Sequence, residues 1–470
     1  MKNDYTEGSI LRSLTKLSIP IILANLLQTA YQLIDTFWVG RLGSHAVAAV
    51  SVSFPIVFLV ISLGGGLTMA GTILIAQNKG KKEYEKMNHI TTQTMFLVFG
   101  ISIALSIIGF YISDVILRSF RIEDVIFKDA SNYLKITFIG TIFTFTFMVF
   151  QSLMRGVGEV KIPMFIVLGT VILNLFLDPL FIFGYGIIPA MKVEGAAVAT
   201  IITQAISTII GVLILIKGKY GLELKIKKYI PDFKLIKTIF KLGLPSSIEM
   251  SMRAMGMLVM TYLVTKYGTE TLATFGIGSR IFGFVIVPTI GLSLATTTLV
   301  GQNIGAGKPE RAEKIAIISS IAGFVGLTII GVIFFLFAQS LATFFVPNEP
   351  KTILASTQFI KILSVGFGFL AVIQVLNGTF RGAGDTMITM IFSMISIWIL
   401  RFPIAYYLSN YTDLHEVGIW YSFPADILIG FTLTVIWFKK GTWKTKKLND
   451  EMKLIEKTNE QTIIEEGIGT

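Results

Sequence analysis

Long apolar stretches recur along the whole chain, and each is long enough to cross a lipid bilayer. The sequence has 470 residues, of which 53% are hydrophobic and only 15% are charged. As an α-helix, a stretch of about 20 apolar residues spans the hydrocarbon core of a bilayer. The short alternating segments of a transmembrane β-barrel are not the pattern seen here. The stretches therefore predict an all-α, polytopic membrane protein.

Hydropathy divides the chain into twelve predicted transmembrane helices, six in each half. Their predicted limits are 14–40, 48–78, 91–117, 131–153, 162–184, 193–216, 239–265, 272–301, 313–343, 354–378, 387–408 and 418–438. Most of the 40 Lys and Arg residues fall in loops on one side, which the positive-inside rule assigns to the cytoplasm. We therefore expect a multi-pass protein of the cell membrane with both termini in the cytoplasm.

The two halves of the chain are copies of one unit. Motifs recur at offsets of 225 or 226 residues: 17–20 at 242–245, 77–80 at 302–305, and 155–159 at 381–385. Because each half has an even number of spans, both halves enter the membrane from the same side. We expect two six-helix bundles related by a pseudo-two-fold axis along the membrane normal, with a cleft between them that can hold cargo.

The duplication predicts four parts of the chain. They are an amino-terminal lobe, a cytoplasmic linker, a carboxy-terminal lobe and a cytoplasmic tail, at residues 1–216, 217–238, 239–440 and 441–470. The linker is rich in lysine, and the tail is rich in Lys, Glu, Asn and Thr. The tail composition is typical of a partly helical or disordered extension.

Residue content disfavours several functional classes. The chain has no cysteine and only three histidines, so thiolate and histidine metal sites are not expected, and we expect no cofactor beyond a coupling ion. The net charge of +11 lies mainly in cytoplasmic loops, which indicates contact with the lipid bilayer and not with nucleic acid. Without a recognisable hydrolase or phosphate-binding motif, we do not expect an enzyme. The repeat favours rocking halves of a monomer over a channel built from a ring of subunits.

Polar residues follow one face of the first predicted helix. Asn25, Gln28, Tyr31, Gln32 and Asp35 project within about 120° of one another at 100° per residue. An ionisable group in hydrocarbon costs a few kcal/mol and needs a partner or a purpose. The stripe fits either a static interhelical network or an ion site, and the carboxylate of Asp35 favours the ion site.

A second polar cluster lies on the fifth and sixth predicted helices. Asn174 and Asp178 stand at i and i+4 on one face, and Thr200 supplies a hydroxyl at a compatible depth. Together with Asp35 they form a set of hard oxygen ligands, which can accept protons or coordinate a small alkali cation such as Na+. Static packing is the alternative.

The second half lacks this chemistry. It has apolar residues at the three aligned positions, Met260, Leu400 and Ile404, so the ion site should lie in the amino-terminal lobe. Its own intramembrane charges, Glu249 and Arg253, stand at i and i+4 on the seventh helix, and we interpret them first as a self-neutralising pair.

The seventh helix also carries candidates for the wall of a substrate cleft. Methionine adapts to varied apolar shapes, so Met257 and Met260 suit a promiscuous cleft, although packing against lipid explains them equally well. With them we group Gln32, Glu249 and Arg253 as candidate cleft residues.

Two further intramembrane residues need an explanation. Pro20 removes one backbone hydrogen bond from the first helix, which either only aids packing or provides a hinge. Asp426 is an acid in the last helix for which the sequence identifies no partner.

Taken together, these residues resemble the multidrug and toxic compound extrusion family, in its archaeal and DNA-damage-inducible branch. The resemblance covers roughly residues 10–440 and rests on motifs at 17–20, 31–40, 155–159, 174–179, 195–200 and 243–247. It implies a secondary active antiporter. Members of the family export cationic, amphiphilic or aromatic compounds in exchange for H+ or Na+.

The resemblance also implies site residues. The first-lobe acids of family members match Asp35 and Asp178. Their hydrogen-bonding network matches Tyr31, Tyr133, Asn174 and Thr200. We place Gln28 in the same supporting network, together with Gln151, which stands where relatives can have Asn. Relatives with a sodium-linked acid in the second lobe carry Glu at the position of Arg253, so a site of that type is not expected here.

Binding of H+ or Na+ to the acid pair would neutralise charge, bend the first helix above Pro20 and displace the cargo.

An alternative function has the same fold but a different cargo. The wider superfamily includes flippases for lipid-linked oligosaccharides or cell-wall precursors. Such a flippase needs arginines to neutralise a pyrophosphate. Arg253 and Arg280 are the only intramembrane candidates that we identify for this role.

Overall fold

The first lobe consists of six long helices. The computed structural model describes residues 4–120 and 122–445. Among the described residues, the helices of the first lobe are α1 (Ile10–Gly40), α2 (Ser44–Gly80), α3 (Tyr84–Ser119), α4 (Asp124–Gly156), α5 (Lys161–Phe183) and α6 (Lys192–Ile216). Each begins and ends close to a short turn, so neighbours in sequence run antiparallel.

The second lobe repeats this arrangement with more interruptions. Its helices are α7 (Phe233–Thr265), α8 (Thr269–Gly305), α9 (Pro309–Leu336), α10 (Ala338–Phe345), α11 (Pro350–Ser364), α12 (Phe367–Gly382), α13 (Thr386–Met394), α14 (Phe402–Tyr411) and α15 (His415–Lys440). A π-helix, Ile395–Arg401, joins α13 to α14 into one span. Helices α11 and α12 are bent by 49° and together form another.

The layout is the predicted one, with twelve spans in two six-helix bundles. Ten helices of the described chain are long and apolar enough to cross a membrane, and the bent pair α11 and α12 makes an eleventh. The remaining span, α7, is equally long but carries five charged residues, Lys234, Lys237, Lys241, Glu249 and Arg253. The predicted all-α, two-bundle fold is confirmed.

Helix limits differ from the prediction in two ways. Several helices begin earlier than predicted, such as α3 at Tyr84 and α4 at Asp124, because hydropathy marks only the part in hydrocarbon and not the polar turns beyond it. The predicted helices 313–343 and 354–378 are each broken, near Phe337 and at Val365 and Gly366. Hydropathy does not detect these breaks, since the chain stays apolar across them.

The connection between the lobes packs against α3. The backbone N–H of Glu223 donates to Asn88 Oδ1 at 2.8 Å, and that of Asp232 donates to Gln93 Oε1 at 3.2 Å. Helix α7 begins at Phe233, inside the predicted linker 217–238. The division of the chain into four parts stays a prediction, and most of the predicted tail, 441–470, lies outside the described residues.

Asp232 fixes the start of α7. Its carboxylate accepts from the backbone N–H of Leu235 at 3.0 Å and lies 3.0 Å from the His89 ring. Burial alone would raise the pKa of Asp232, but these hydrogen bonds and the imidazole hold it below its usual value. The cap therefore stays ionised near neutral pH and satisfies free N–H groups of the first turn.

The two lobes are joined in the half of the molecule nearest the connection, which we call the linker end. There α2 packs against α7 and α8, and α1 packs against α8. Ser247 Oγ of α7 donates to the carbonyl of Leu63 on α2 at 2.7 Å. In the described chain, the side-chain hydrogen bonds between the lobes all lie in this half. The cleft between the lobes therefore opens at the opposite end.

Candidate ion and substrate site

The first lobe brings the two predicted acids together. Asp35 of α1 and Asp178 of α5 lie where these two helices pack, and their carboxyl groups are close to one another. Asn174 Nδ2 donates to Asp178 Oδ1 at 2.8 Å, and Thr200 Oγ1 of α6 donates to Asp35 Oδ2 at 3.4 Å. All four predicted ligands therefore lie in one group.

This group contains buried oxygens that lack hydrogen-bond donors. Asn174 and Asp178 are 0% exposed. Asp35 Oδ1, Asp178 Oδ2 and Asn174 Oδ1 have no hydrogen-bond partner among the residues that the structure describes. An unpaired buried polar atom is costly and calls for an explanation. Three hard oxygen atoms suit a proton or Na+, so the chemistry of the donor set fits either coupling ion.

Two tyrosines support the acids. The Tyr31 hydroxyl hydrogen-bonds Thr203 Oγ1 at 2.7 Å, and its ring is buried one turn below Asp35 on the same face of α1. Tyr133 of α4 packs on the apolar cluster around Ile182, near both carboxyl groups. The two tyrosines therefore flank the acid pair, Tyr31 from α1 and Tyr133 from α4.

The structure places Gln151 and Gln28, the other predicted members of the network, away from the acid pair, and it exposes Gln32, a predicted cleft residue. Gln151 follows Tyr133 on α4 by five turns, about 27 Å along the axis, so it does not reach the acid pair. Gln28 and Gln32 are exposed on α1. A crevice of about 220 Å³ lies between α1 and α2. It is lined by Thr36, Val39, Val47, Val50, Ser51 and Phe54.

The charged pair on α7 forms as predicted, but a second arginine joins it. Glu249 Oε1 accepts from Arg253 Nη2 at 2.9 Å and from Arg381 Nη2 of α12 at 2.6 Å. Glu249 Oε2 accepts from the Thr389 hydroxyl of α13 at 3.0 Å. Arg381 belongs to the repeated motif at 381–385, but sequence reasoning ended its helix at 378 and so left it outside the membrane.

Asp426 has the partner that the sequence did not identify. Arg401 Nε and Nη2 donate to Asp426 Oδ2 at 2.9 and 2.6 Å, and Ser396 donates to Oδ1 at 2.5 Å. The expectation that Arg253 and Arg280 are the only intramembrane arginines is therefore wrong. Arg401 lies inside the predicted span 387–408, where a charge in an apolar run was the available signal.

The methionines of α7 differ in exposure. Met257 is 51% exposed, whereas Met260 is 3% exposed and belongs to the second-lobe core around Trp420. The prediction that Met260 lines the cleft is therefore wrong, because its face of α7 turns into the bundle.

Pro20 is buried inside an unbroken α1, and its role as a hinge stays a prediction.

Comparisons with known proteins agree with this architecture. A family model described as MatE matches residues 20–180 and 245–407, one block in each lobe. The chain is 31% identical over 449 residues to YpnP of Bacillus subtilis (strain 168), a probable multidrug resistance protein, with 95% of this chain and 99% of that protein covered.

It is 30% identical over 440 residues to NorM of Thermotoga maritima, also a probable multidrug resistance protein, with 93% and 94% of the two chains covered. A solved structure, of an outward-facing multidrug resistance MATE family transporter, superposes with a TM-score of 0.87 at 23% identity. It covers 94% of this chain and 98% of its own. These proteins share one fold over nearly their whole lengths.

Proposed function

The chain belongs to the MatE family of membrane transporters, and from this we propose that it is a secondary active multidrug antiporter. It exports small organic cations or amphiphiles in exchange for H+ or Na+ by alternating access. The multidrug resistance names of its relatives support export of drugs over the flippase alternative. The observation that carries the coupling is the Asp35 and Asp178 pair, in which buried oxygens find no hydrogen-bond partner among the described residues.

The acid pair provides one place where an inorganic cation and an organic cation compete. Two carboxylates in contact cannot both stay ionised without a cation, because their repulsion in a site of low dielectric is large. A proton or Na+ held by Asp35, Asp178, Asn174 and Thr200 removes the excess negative charge. A cationic cargo is then no longer attracted to the first lobe and leaves. Release of the coupling ion on the other side restores the attraction.

The coupling ion supplies the work. A cation moving inward across a membrane gains about 2.3 kcal/mol per charge for each 100 mV of potential. Because the cargo leaves by the same cleft in the other phase of the cycle, this energy drives export against a gradient. We propose that the protein works as a monomer in the bilayer with both termini in the cytoplasm.

Helix α1 links the acid pair to the contact between the lobes. Asp35 lies near one end of α1, whereas Ile22, near Pro20, packs against Gly291 of α8 in the other lobe. A bend of α1 at Pro20 therefore changes both the ion pocket and the interlobe contact. This connection gives ion binding a route to the opening and closing of the cleft.

Counterflow in proteoliposomes tests the proposal. A fluorescent organic cation is loaded, and a pH gradient and a sodium gradient are imposed separately on the wild type, Asp35→Asn and Asp413→Asn. Asp413 is an exposed acid outside the pocket and serves as the matched control. We expect Asp35→Asn to lose gradient-driven export by at least about tenfold, since a neutral amide has no negative charge for the coupling ion to neutralise. Asp413→Asn should behave as the wild type.

Size-exclusion chromatography checks that Asp35→Asn inserts and folds. Gradient-driven export by a well-folded Asp35→Asn at the wild-type rate would remove the acid pair from the mechanism. Wild-type export that responds to neither gradient would rule out antiport. Whichever gradient drives export identifies the coupling ion.

A further inference from the structure

The polar cluster of the second lobe carries more positive than negative charge. The Glu249 carboxylate, 2% exposed, lies between the guanidinium groups of Arg253 and Arg381. In the described chain, Glu249 is the one acid that forms a salt bridge with either arginine. Two positive charges therefore share one negative charge. An uncompensated charge inside a membrane protein is costly and marks a site that binds something.

The guanidinium of Arg253 is held in place by one of its nitrogens, and its other nitrogens remain available as hydrogen-bond donors. Its Nη2 donates to Glu249 Oε1 at 2.9 Å, to Gln374 Oε1 at 3.3 Å and to Ser393 Oγ at 3.1 Å. The other guanidinium nitrogens of Arg253, Nε and Nη1, make no hydrogen bond with the described residues. A fixed guanidinium with free donors is preorganised to bind the two oxygens of a carboxylate.

Arg253 is hydrogen-bonded within the second lobe and yet is partly exposed. Its side chain is 37% exposed, and its partners Gln374 and Ser393 lie on α12 and α13 of that lobe. A guanidinium turned to hydrocarbon would cost several kcal/mol. The exposed part therefore opens to the cleft side of the bundle. Arg381, 13% exposed, stands behind Glu249 and keeps the cluster positive.

The internal repeat shows that the two lobes differ in charge at related places. Arg253 occupies the position of Gln28 in the first lobe, and Glu249 that of Ala24. The first lobe instead carries the acid pair Asp35 and Asp178. The two halves of the cleft thus present opposite charges, which a purely cationic cargo would not use.

We propose that Arg253, backed by Arg381, binds a carboxylate group on the transported compound. The inference rests on the proposed export function and deepens it. The cargo then includes amphiphiles with both a cationic end, attracted to the first lobe, and a carboxylate, bound by the second. One unmatched positive charge fits a singly charged carboxylate better than a phosphate with two charges.

Equilibrium binding with a matched pair of probes tests the assignment. The probes are a fluorescent aromatic amine that carries a carboxylate and the methyl ester of the same compound. Binding is measured to the full-length protein in nanodiscs of neutral lipid, without ion gradients. The wild type should bind the carboxylate form about tenfold more tightly than the ester.

Arg253→Gln, which copies the first-lobe residue, should lower the affinity for the carboxylate form about tenfold and leave the affinity for the ester unchanged. Arg253→Lys keeps the charge without the planar fork and should lose only part of the preference. Arg280→Gln is the matched control, because Arg280 is an exposed second-lobe arginine outside the cluster. It should retain the wild-type preference.

Unchanged binding of the ester shows that Arg253→Gln is folded. A wild type without preference, or an Arg253→Gln variant that weakens both probes equally, overturns the proposal. If nanodiscs of anionic lipid abolish the preference by competition, the site binds a lipid headgroup and the assignment to cargo is wrong. Because no gradient is used, these results stand whether or not Asp35 couples export to an ion.

Discussion

Three buried acid sites in the described membrane helices differ in the partners of the acid. Asp426 is matched by one arginine and a serine, so its oxygens are satisfied. Glu249 is matched by two arginines and is left in a positive cluster. Asp178 has one amide donor and a second carboxyl group beside it. The first arrangement is structural, whereas the other two leave unmatched capacity that a ligand can use.

The ion pair of Asp426 and Arg401 predicts a stability effect. Asp426→Leu should lower the free energy of unfolding by about 3–5 kcal/mol, because it leaves Arg401 buried without a counter-charge. The double variant Asp426→Leu with Arg401→Met should recover most of that loss, since apolar residues of similar volume replace both charges. The measurement is unfolding of the purified variants in mixed micelles.

An exposed salt bridge provides the matched control. Lys444 Nζ lies 2.8 Å from the Glu313 carboxylate, and both side chains are about one-third exposed. Glu313→Leu should cost less than about 1 kcal/mol. A double variant as unstable as Asp426→Leu alone would show that the pair contributes more than charge neutralisation.

Sequence reasoning identified the acid pair and the pairing of Glu249 with Arg253, but it missed Arg381 and Arg401 as partners of the other acids. Asp35, Asn174 and Asp178 stand out as polar residues in apolar helices, and the structure brings them together. Arg381 and Arg401 are partners across helices. Whether two helices turn these particular faces toward each other depends on their rotation and tilt, which hydropathy does not report.

At the scale of the element, α1 is the helix that serves both the ion pocket and the lobe interface. It packs along α5, which carries Asp178, and also along α8 of the other lobe. Pro20 lies inside it and cannot donate to the carbonyl of Lys16, so the helix is weaker there than elsewhere. A helix with one missing hydrogen bond bends more easily at that point.

Replacing Pro20 tests the hinge. Pro20→Ala restores the backbone donor and stiffens α1, so we expect gradient-driven export to fall several-fold while equilibrium binding of the cargo stays within about twofold. The matched control is Pro245→Ala at the repeated position in α7. It should have the smaller effect, because α7 carries no counterpart of the Asp35 pocket. Equal losses in both variants would argue against a special role of α1.

At the scale of the whole molecule, the lobes are held together by a pair of repeated contacts at the linker end. Gln77 Nε2 donates to the carbonyl of Gly382 at 2.9 Å, and its repeat, Gln302, donates to the carbonyl of Gly156 at 3.0 Å. Each glutamine thus crosses to the other lobe, and the two bonds obey the pseudo-two-fold symmetry of the chain. The sequence motif at 77–80 and 302–305 is explained by this contact.

The amino-terminal segment passes over the same contact. The Tyr5 hydroxyl donates to the carbonyl of Gly158 at 3.4 Å in the first lobe, and Asn303 of the second lobe donates to the carbonyl of Tyr5 at 3.2 Å. Burial raises the pKa of Tyr5 to about 12, so its hydroxyl remains a donor at physiological pH. The segment therefore bridges the lobes when the linker end is closed.

Glycine makes this closure sterically feasible. A Cβ atom at position 305 would lie 1.9 Å from the carbonyl oxygen of Gln77, and one at position 80 would lie 2.0 Å from that of Gln302. Backbone atoms cannot move away as side chains can. Gly305→Ala should therefore disfavour the closed linker end by about 1–3 kcal/mol, which shifts the ratio of the two states by roughly 5–150-fold.

Spin-label distances measure that shift. The chain has no cysteine, so single cysteines can be introduced for labelling without removing native ones. Tyr84 and Glu310, one exposed residue from each lobe at the linker end, are suitable label positions. Gly305→Ala should move the distance distribution toward longer values. Gly326→Ala in α9, where a Cβ meets no neighbour within 4 Å, should leave the distribution as in the wild type. A short distance retained in Gly305→Ala would contradict this account of closure.

The amino-acid sequence by itself determined the all-α membrane fold, the division into twin bundles and the confinement of the Asp35 pocket to the first bundle. These follow from apolar length, from repetition and from residue type, which are properties along the chain. Only the tertiary structure decided that Met260 is buried, that Gln151 lies far from Tyr133, and that Arg381 reaches Glu249. Such contacts depend on how each helix is rotated, broken and tilted against its neighbours, and a small change in any of these exchanges one partner for another.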